Sequence, residues 1–204
     1  MSLFDALPTK MNLPLLHGKA WYDSGFLSHS EQEKLKNHLW KSYHWEQPEL
    51  TVFGKSHPIP RLAAWIAHKD VGFDYSGVKH ELQAWTEPLW QIKQKIESAT
   101  GVTYNSVLLN AYRDGHDKMG WHSDNEKSLG PDPLIASLNL GVARRFDLRN
   151  MKDPTDEVKL QVESGSLLFM GPGIQTHYKH QVPQQKRVQG LRINVTFRQV
   201  FSEV

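Results

Sequence analysis

The chain contains no cysteine. That excludes a disulfide framework, thiolate metal sites and thiol catalysis together, and it fits a reducing compartment. Long hydrophobic runs are also missing, since nothing approaches the roughly 20 apolar residues that a membrane-spanning helix requires. The opening residues, MSLFDALPTKMNLPLLHGK, lack a basic segment followed by a continuous apolar core. No secretory signal is expected from them. The expected location is cytoplasmic, or nuclear in a eukaryote, with no membrane partner. Neither sign of charge dominates: 24 Lys and Arg face 22 Asp and Glu, a formal net charge of +2. A chain that grips many phosphates usually carries a clear basic stripe, and so small a surplus does not announce one.

What remains is the composition of an ordinary globule. The 204 residues are 39% hydrophobic and 23% charged, enough for one domain with a substantial core. A single 1–204 domain, acting as a monomer, is the expectation. Eleven His and seven Trp supply rings that can stack on bases or line a dry pocket, although aromatic rings serve cores equally well.

The first 101 residues read as helical and irregular. Ser28 followed by Glu31 has the form of a capping box, with Leu35 and Leu39 one turn apart behind it, and predicts a helix over 28–40. Segment 47–75 carries Pro48, Gly54, Pro58, Pro60 and Gly72 among scattered aromatics, which suits loops or short strands. A second helix is expected from Thr86, with Pro88 in its first turn, Leu89, Ile92, Ile96 and Ala99 on its inner face, and Gly101 as its stop. From Val102 the pattern changes. Segments 105–112, 134–140, 144–149, 158–162, 166–170 and 191–201 are rich in β-branched and aromatic residues and are punctuated by Gly and Pro. Helices followed by many short strands point to an α+β fold with a double-sheet, jelly-roll core over 102–204 and N-terminal helices packed outside it.

In the last strand, Arg192, Asn194, Thr196 and Arg198 alternate with Ile193, Val195 and Phe197. Strand side chains alternate faces, so the four polar groups share one side. That side is either a solvated outer face or a buried row that needs an anion. Asn110 and Tyr112 form a similar polar pair on an earlier strand, just before Trp121-His122-Ser123-Asp124. A His-x-Asp pair with one distant His is the ligand set of a 2-His-1-carboxylate site. Such a set binds one face of a ferrous ion and leaves the other open. His122 and Asp124 supply the pair. His177 and His180, both near Pro183, are the candidates for the third ligand, and spacing does not choose between them.

At this point the chain resembles the AlkB family of iron(II)- and 2-oxoglutarate-dependent dioxygenases, in particular its branch acting on alkylated nucleic acids. The resemblance is carried by Asn110-Ala111-Tyr112-Arg113-Asp114-Gly115, Trp121-His122-Ser123-Asp124, Pro133-Leu134-Ile135-Ala136-Ser137-Leu138, Gly165-Ser166-Leu167-Leu168, His180-Gln181-Val182-Pro183 and Arg192-Ile193-Asn194-Val195-Thr196-Phe197-Arg198. A weaker upstream match is Pro60-Arg61-Leu62-Ala63-Ala64-Trp65 with Tyr75-Ser76-Gly77. The resemblance implies a double-stranded β-helix, His180 as the third iron ligand, and Asn110, Tyr112, Arg192, Asn194 and Arg198 as the 2-oxoglutarate site. Within that site it implies Arg192 with Tyr112 on the distal carboxylate, and Arg198 with Asn194 near the end that chelates iron. A guanidinium offers the two-pronged donor that a carboxylate accepts.

The activity implied is oxidative demethylation of N-alkylated bases in DNA or RNA, with Fe(II), 2-oxoglutarate and O2, releasing formaldehyde, succinate and CO2. The base would be single-stranded or flipped from its duplex. Trp65, Arg61, Asn125 and Glu126 are the expected substrate contacts, and 47–75, with Phe53, His57, Arg61 and Trp65, the expected nucleotide-recognition lid. Arg113, Lys118, Lys127, Arg144, Lys179, Lys186 and Arg187 are candidate phosphate contacts. Two departures bear on substrate. Asn125 stands directly after Asp124, where many relatives have an acidic residue that offsets the charge of the base, and Ile66-Ala67 follow Trp65 in place of Tyr-Gly. Asn125 and the small net charge favour, as a second reading, a hydroxylase or demethylase acting on a protein side chain or a small molecule. A third is a nucleic-acid-binding module with a vestigial metal site.

Overall fold

The structure, a computed structural model, describes residues 9–52, 54–68 and 81–201. Strands β1 (Lys10–Asn12) and β2 (Ala20–Asp23) precede helix α1 (His29–Ser42). A ribbon of β3 (Glu49–Val52) and β4 (Lys55–Pro58) follows, then β5 (Leu62–Ala67), β6 (Leu82–Gln83) and helix α2 (Glu87–Thr100). The second half runs through β7 (Ser106–Tyr112), β8 (Met119–His122), β9 (Ile135–Gly141), β10 (Arg144–Asn150), β11 (Glu157–Val162) and β12 (Leu167–Met170). One helical turn, α3 (Ile174–His177), then leads to β13 (Tyr178–Val182) and β14 (Arg192–Arg198).

The larger sheet has the order β1-β2-β12-β9-β14-β7-β5-β6 and the smaller β11-β10-β13-β8. Their inner faces meet. Ile135, Leu168 and Met170 of the larger sheet share one apolar cluster with Phe146, Leu148, Leu160 and Val182 of the smaller. This is the jelly-roll arrangement expected for the second half of the chain. The outer face of the larger sheet is covered by the helices: Leu35 and Leu39 of α1 and Leu89 and Ile96 of α2 join Val107, Leu109, Ile193, Val195 and Phe197.

Local chemistry accounts for the helix ends. Ser28 Oγ accepts from the Glu31 amide at 3.4 Å, while the Glu31 carboxylate accepts from the Ser28 amide at 2.7 Å, so the capping box forms. Gly101 ends α2 in the left-handed region, φ 71°, and its amide donates to the Glu97 carbonyl. The inner face of α2 differs from expectation. Leu89, Lys93 and Ile96 are its buried residues, Ile92 is half-buried and Ala99 is exposed. Lys93 reaches that position because its ammonium pairs with Glu97 at 2.8 Å and lies 4.4 Å from the Trp90 ring, so its stem can be buried.

The first 101 residues are not the helical part that was expected. β2 pairs with β12, and β5 pairs with β7 along its whole length, so the larger sheet draws on both halves of the chain. β5 reads Leu-Ala-Ala-Trp-Ile-Ala and is buried on both faces apart from its half-buried Leu62. A strand covered on both sides shows no alternation by which to recognise it. Of the expected lid, β3, β4 and β5 are short strands, while 53 and 69–75 lie outside the described residues.

Candidate metal centre and co-substrate slot

β8 and β13 are neighbours in the smaller sheet, and His122 stands directly across from His180 in their register. The two rings lie 4.2 Å apart. The chain continues from His122 through Ser123, whose hydroxyl donates to the Tyr178 carbonyl at 2.8 Å, and this folds Asp124 over the pair. His122 Nε2 is 3.9 Å and His180 Nε2 4.0 Å from the Asp124 carboxylate, and all three donor atoms lie within 4.8 Å of one another. His177 is not part of this group; its ring packs against His17.

The three donors are held ready for a cation. His122 Nδ1 donates to the Gly120 carbonyl at 2.8 Å, which orients the ring so that Nε2 faces Asp124. His180 is 3% exposed and stacks on Phe146; burial lowers its pKa to about 3, so the imidazole is neutral. Burial would raise the Asp124 carboxyl, but Arg198, aided by the two histidines, outweighs it and holds the group well below the usual carboxylate range. Arg198 Nη2 donates to Asp124 Oδ1 at 2.9 Å. Here the structure adds to the expectation, because Arg198 grips the carboxylate of the metal group as well as lining the slot.

A narrow cavity opens beside these residues, walled by Met119, Phe146, Met170 and Val182 and floored by the polar face of β14. Arg192, Asn194, Thr196 and Arg198 are 1, 8, 6 and 3% exposed, so the face is a buried row and not a solvated one. Asn194 donates to Ser137 Oγ at 2.8 Å, and Asn110 accepts from Arg61 Nε at 2.8 Å. Arg192 sits at the end of the row with its guanidinium carbon 4.9 Å from the Tyr112 ring. Its Nη2 donates to Asn139 at 2.6 Å, and its Nε and Nη1 have no hydrogen-bond partner among the described residues. Burial draws this guanidinium down to about 10, which leaves it charged at neutral pH.

The expected substrate contacts are dispersed. Arg61 lines the cavity. Trp65 is 2% exposed in an apolar cluster with Ile59, Ala63 and Leu108 and is not in the cavity wall. Asn125 is exposed, and Glu126 is half-buried ahead of the short turn Lys127–Leu129. Ile66 belongs to the cluster beneath the helices, on the face of β5 opposite Ala63 and Trp65, and does not line this cavity. Arg144 is wholly buried and cannot meet a phosphate, and Arg113 is exposed but chelated by Asp117. One supporting residue went unread: Gln175 Oε1 accepts from the Asp124 amide at 2.9 Å and fixes the carboxylate-bearing loop. Nothing in the sequence marks it, because the contact exists only once α3 packs against that loop.

The family follows from comparison with known proteins. The model of the 2OG-Fe(II) oxygenase superfamily matches residues 20–198. The alpha-ketoglutarate-dependent dioxygenase alkB homolog 3 of Rattus norvegicus is 36% identical over 188 residues, covering 88% of this chain and 63% of its own length. The DNA oxidative demethylase ALKBH2 of Mus musculus is 37% identical over 159 residues, covering 74% of this chain and 66% of its own. A solved structure of OsALKBH1 superposes with a TM-score of 0.66 at 18% identity, covering 93% of this chain and all of that one, and it shares the fold. The chain belongs to the 2OG-Fe(II) oxygenase superfamily, in its AlkB branch. It spans just under two thirds of the length of those two curated relatives.

The cofactor and co-substrates of that family, Fe(II), 2-oxoglutarate and O2, fit the residues present. Two imidazoles and one carboxylate, with no thiolate, are the donors an open ferrous site takes. A buried, charged guanidinium with two nitrogens unengaged is what an anionic co-substrate would satisfy.

Proposed function

We propose that the chain is an Fe(II)- and 2-oxoglutarate-dependent dioxygenase that oxidatively demethylates N-alkylated bases in DNA or RNA. The observation that carries the reading is the convergence of His122, Asp124 and His180 beside the buried Arg192–Arg198 row. In this reading His122, Asp124 and His180 hold the iron, Arg192 and Tyr112 hold the distal carboxylate of 2-oxoglutarate, and Arg198, Asn194 and Asn110 line the path between. Iron held there would supply the activation of O2, one oxygen atom passing to 2-oxoglutarate as it becomes succinate and CO2 and the other to the N-methyl group, whose hemiaminal would release formaldehyde.

The protein's own task is placement. Met119, Phe146 and Val182 keep water from the slot, Arg198 keeps Asp124 ionised, and Arg61 with Asn110 forms a polar edge on which a base could be oriented. The substrate is a single-stranded or flipped base, with Asn125 and Glu126 nearest the iron ligands in sequence, and the exposed Lys118, Lys127, Lys179, Lys186 and Arg187 are available to its phosphates. Residues 1–204 then act as one catalytic unit, as a monomer, with 47–75 as the recognition lid. The names of the curated relatives support a nucleic-acid substrate. The exposed, neutral Asn125 favours the second reading, a protein side chain or a small molecule.

Formaldehyde release from methylated oligonucleotides, under Fe(II), 2-oxoglutarate and air, is the test. Release supports nucleic-acid demethylation. Succinate formed only with another substrate supports the second reading, and no turnover together with no iron binding would leave a binding module.

A further inference from the structure

Arg144 is the first residue of β10 and is fully buried. Its Nη1 donates to the Asp114 carbonyl at 2.8 Å, its Nη2 to the carbonyls of Asp117 at 2.8 Å and Pro183 at 2.9 Å, and its Nε to Gln185 Oε1 at 3.2 Å. Every one of these acceptors is neutral. The nearby carboxylates offset its charge through space without bonding to it: Asp117 is gripped by Arg113 Nε and Nη2, each at 2.8 Å, and Asp114 accepts from the His116 amide at 2.8 Å.

A buried cation whose hydrogen bonds all go to neutral oxygens keeps a cost that carboxylates at a distance only partly offset. The segments it joins are already tied by backbone, Gln185 N to Gly115 O at 2.8 Å and Gly115 N to Val188 O at 2.9 Å. Gly115 lets them approach, because a Cβ there would run into the Gln185 carbonyl oxygen. What distinguishes Arg144 is its neighbour. Its guanidinium carbon lies 5.6 Å from the Tyr112 ring, and that of Arg192 lies 4.9 Å from the same ring. Two buried cations therefore flank one tyrosine at the end of the slot, and each raises the cost of the other until an anion arrives.

Resting on the reading of Arg192 and Tyr112 as holders of the distal carboxylate, we propose that Arg144 is a positioning residue for the co-substrate. Its charge, locked beside Tyr112 by backbone carbonyls, makes the slot select a dicarboxylate over a monocarboxylic 2-oxo acid. Arg144 does not touch the ligand. A unit charge about 10 Å from an anion, at an effective dielectric constant of about 20, changes its binding on the order of tenfold.

The test compares the dissociation constants of 2-oxoglutarate and 2-oxobutyrate on the Mn(II)-loaded protein by calorimetry, without turnover. Gln185→Glu sets a carboxylate against Arg144 Nε while keeping the hydrogen bonds, and Arg144→Gln removes the charge outright. The preference for 2-oxoglutarate is expected to fall on the order of tenfold in both, with Mn(II) affinity unchanged in Gln185→Glu. A merely structural role would weaken both acids together and leave their ratio alone. Should Arg144→Gln fail to fold, Gln185→Glu decides: a folded Gln185→Glu protein with the wild-type ratio overturns the role of Arg144. Wild-type protein that binds no 2-oxoglutarate would sink the dioxygenase reading itself, and this inference with it.

Discussion

The two faces of β14 are buried almost equally and do opposite things. Ile193, Val195 and Phe197 are wholly buried under the helices, and Arg192, Asn194, Thr196 and Arg198 are nearly as buried on the other side. The first face lowers the free energy by leaving water, and another apolar residue of similar volume would serve. The second raises it, because guanidiniums leave water with few partners. A fold retains such a face when something else is to be bound there. Substitutions on the two faces should therefore separate stability from co-substrate affinity.

The largest effect is expected for Asp124→Ala, which removes a carboxylate that faces both histidines. Turnover should vanish and Fe(II) binding should be lost while circular dichroism stays native, and wild-type activity in that variant would contradict the metal assignment. Next is Arg192→Ala. Its loss should raise the apparent KM for 2-oxoglutarate by at least about thirtyfold, the equivalent of about 2 kcal/mol for truncating one partner of a buried charge pair. An unchanged KM would remove Arg192 from the slot.

On the apolar side the readout reverses. Leu39→Ala, in the helix that covers β14, should cost about 2–5 kcal/mol in a denaturant titration and leave that KM within error. The smallest expected effect is Ile193→Val, about 0.5–1.5 kcal/mol of stability and none on KM. A shift in KM for Ile193→Val would mean that the two faces are coupled through the strand and the contrast is false.

Much of this was legible in the sequence where a signal is local. The capping box at Ser28 and Glu31, the stop at Gly101 and the strands that became β7, β9, β10, β11, β12 and β14 all rest on neighbours within a few residues. β8 and β13 were not read as strands, although they carry His122 and His180. They are short and mix Gly, Trp, Lys and Gln with the histidines, and their extended shape comes from pairing with each other and with β10. Lys93 is not among the residues expected on the inner face of α2, and it is buried because its partners, Glu97 and Trp90, neutralise and cover its charge.

Composition and periodicity settled the kinds of donor available and the side of each strand on which they stand, since alternation is a property of the extended backbone itself. Packing settled the rest. Register brought His180 and not His177 beside His122, strand alternation placed Ile66 under the helices, and loop closure around Arg144 buried a cation that looked fit for a phosphate. The reason is distance along the chain: groups far apart in sequence meet only when whole sheets find their register, and no short window of residues encodes that meeting.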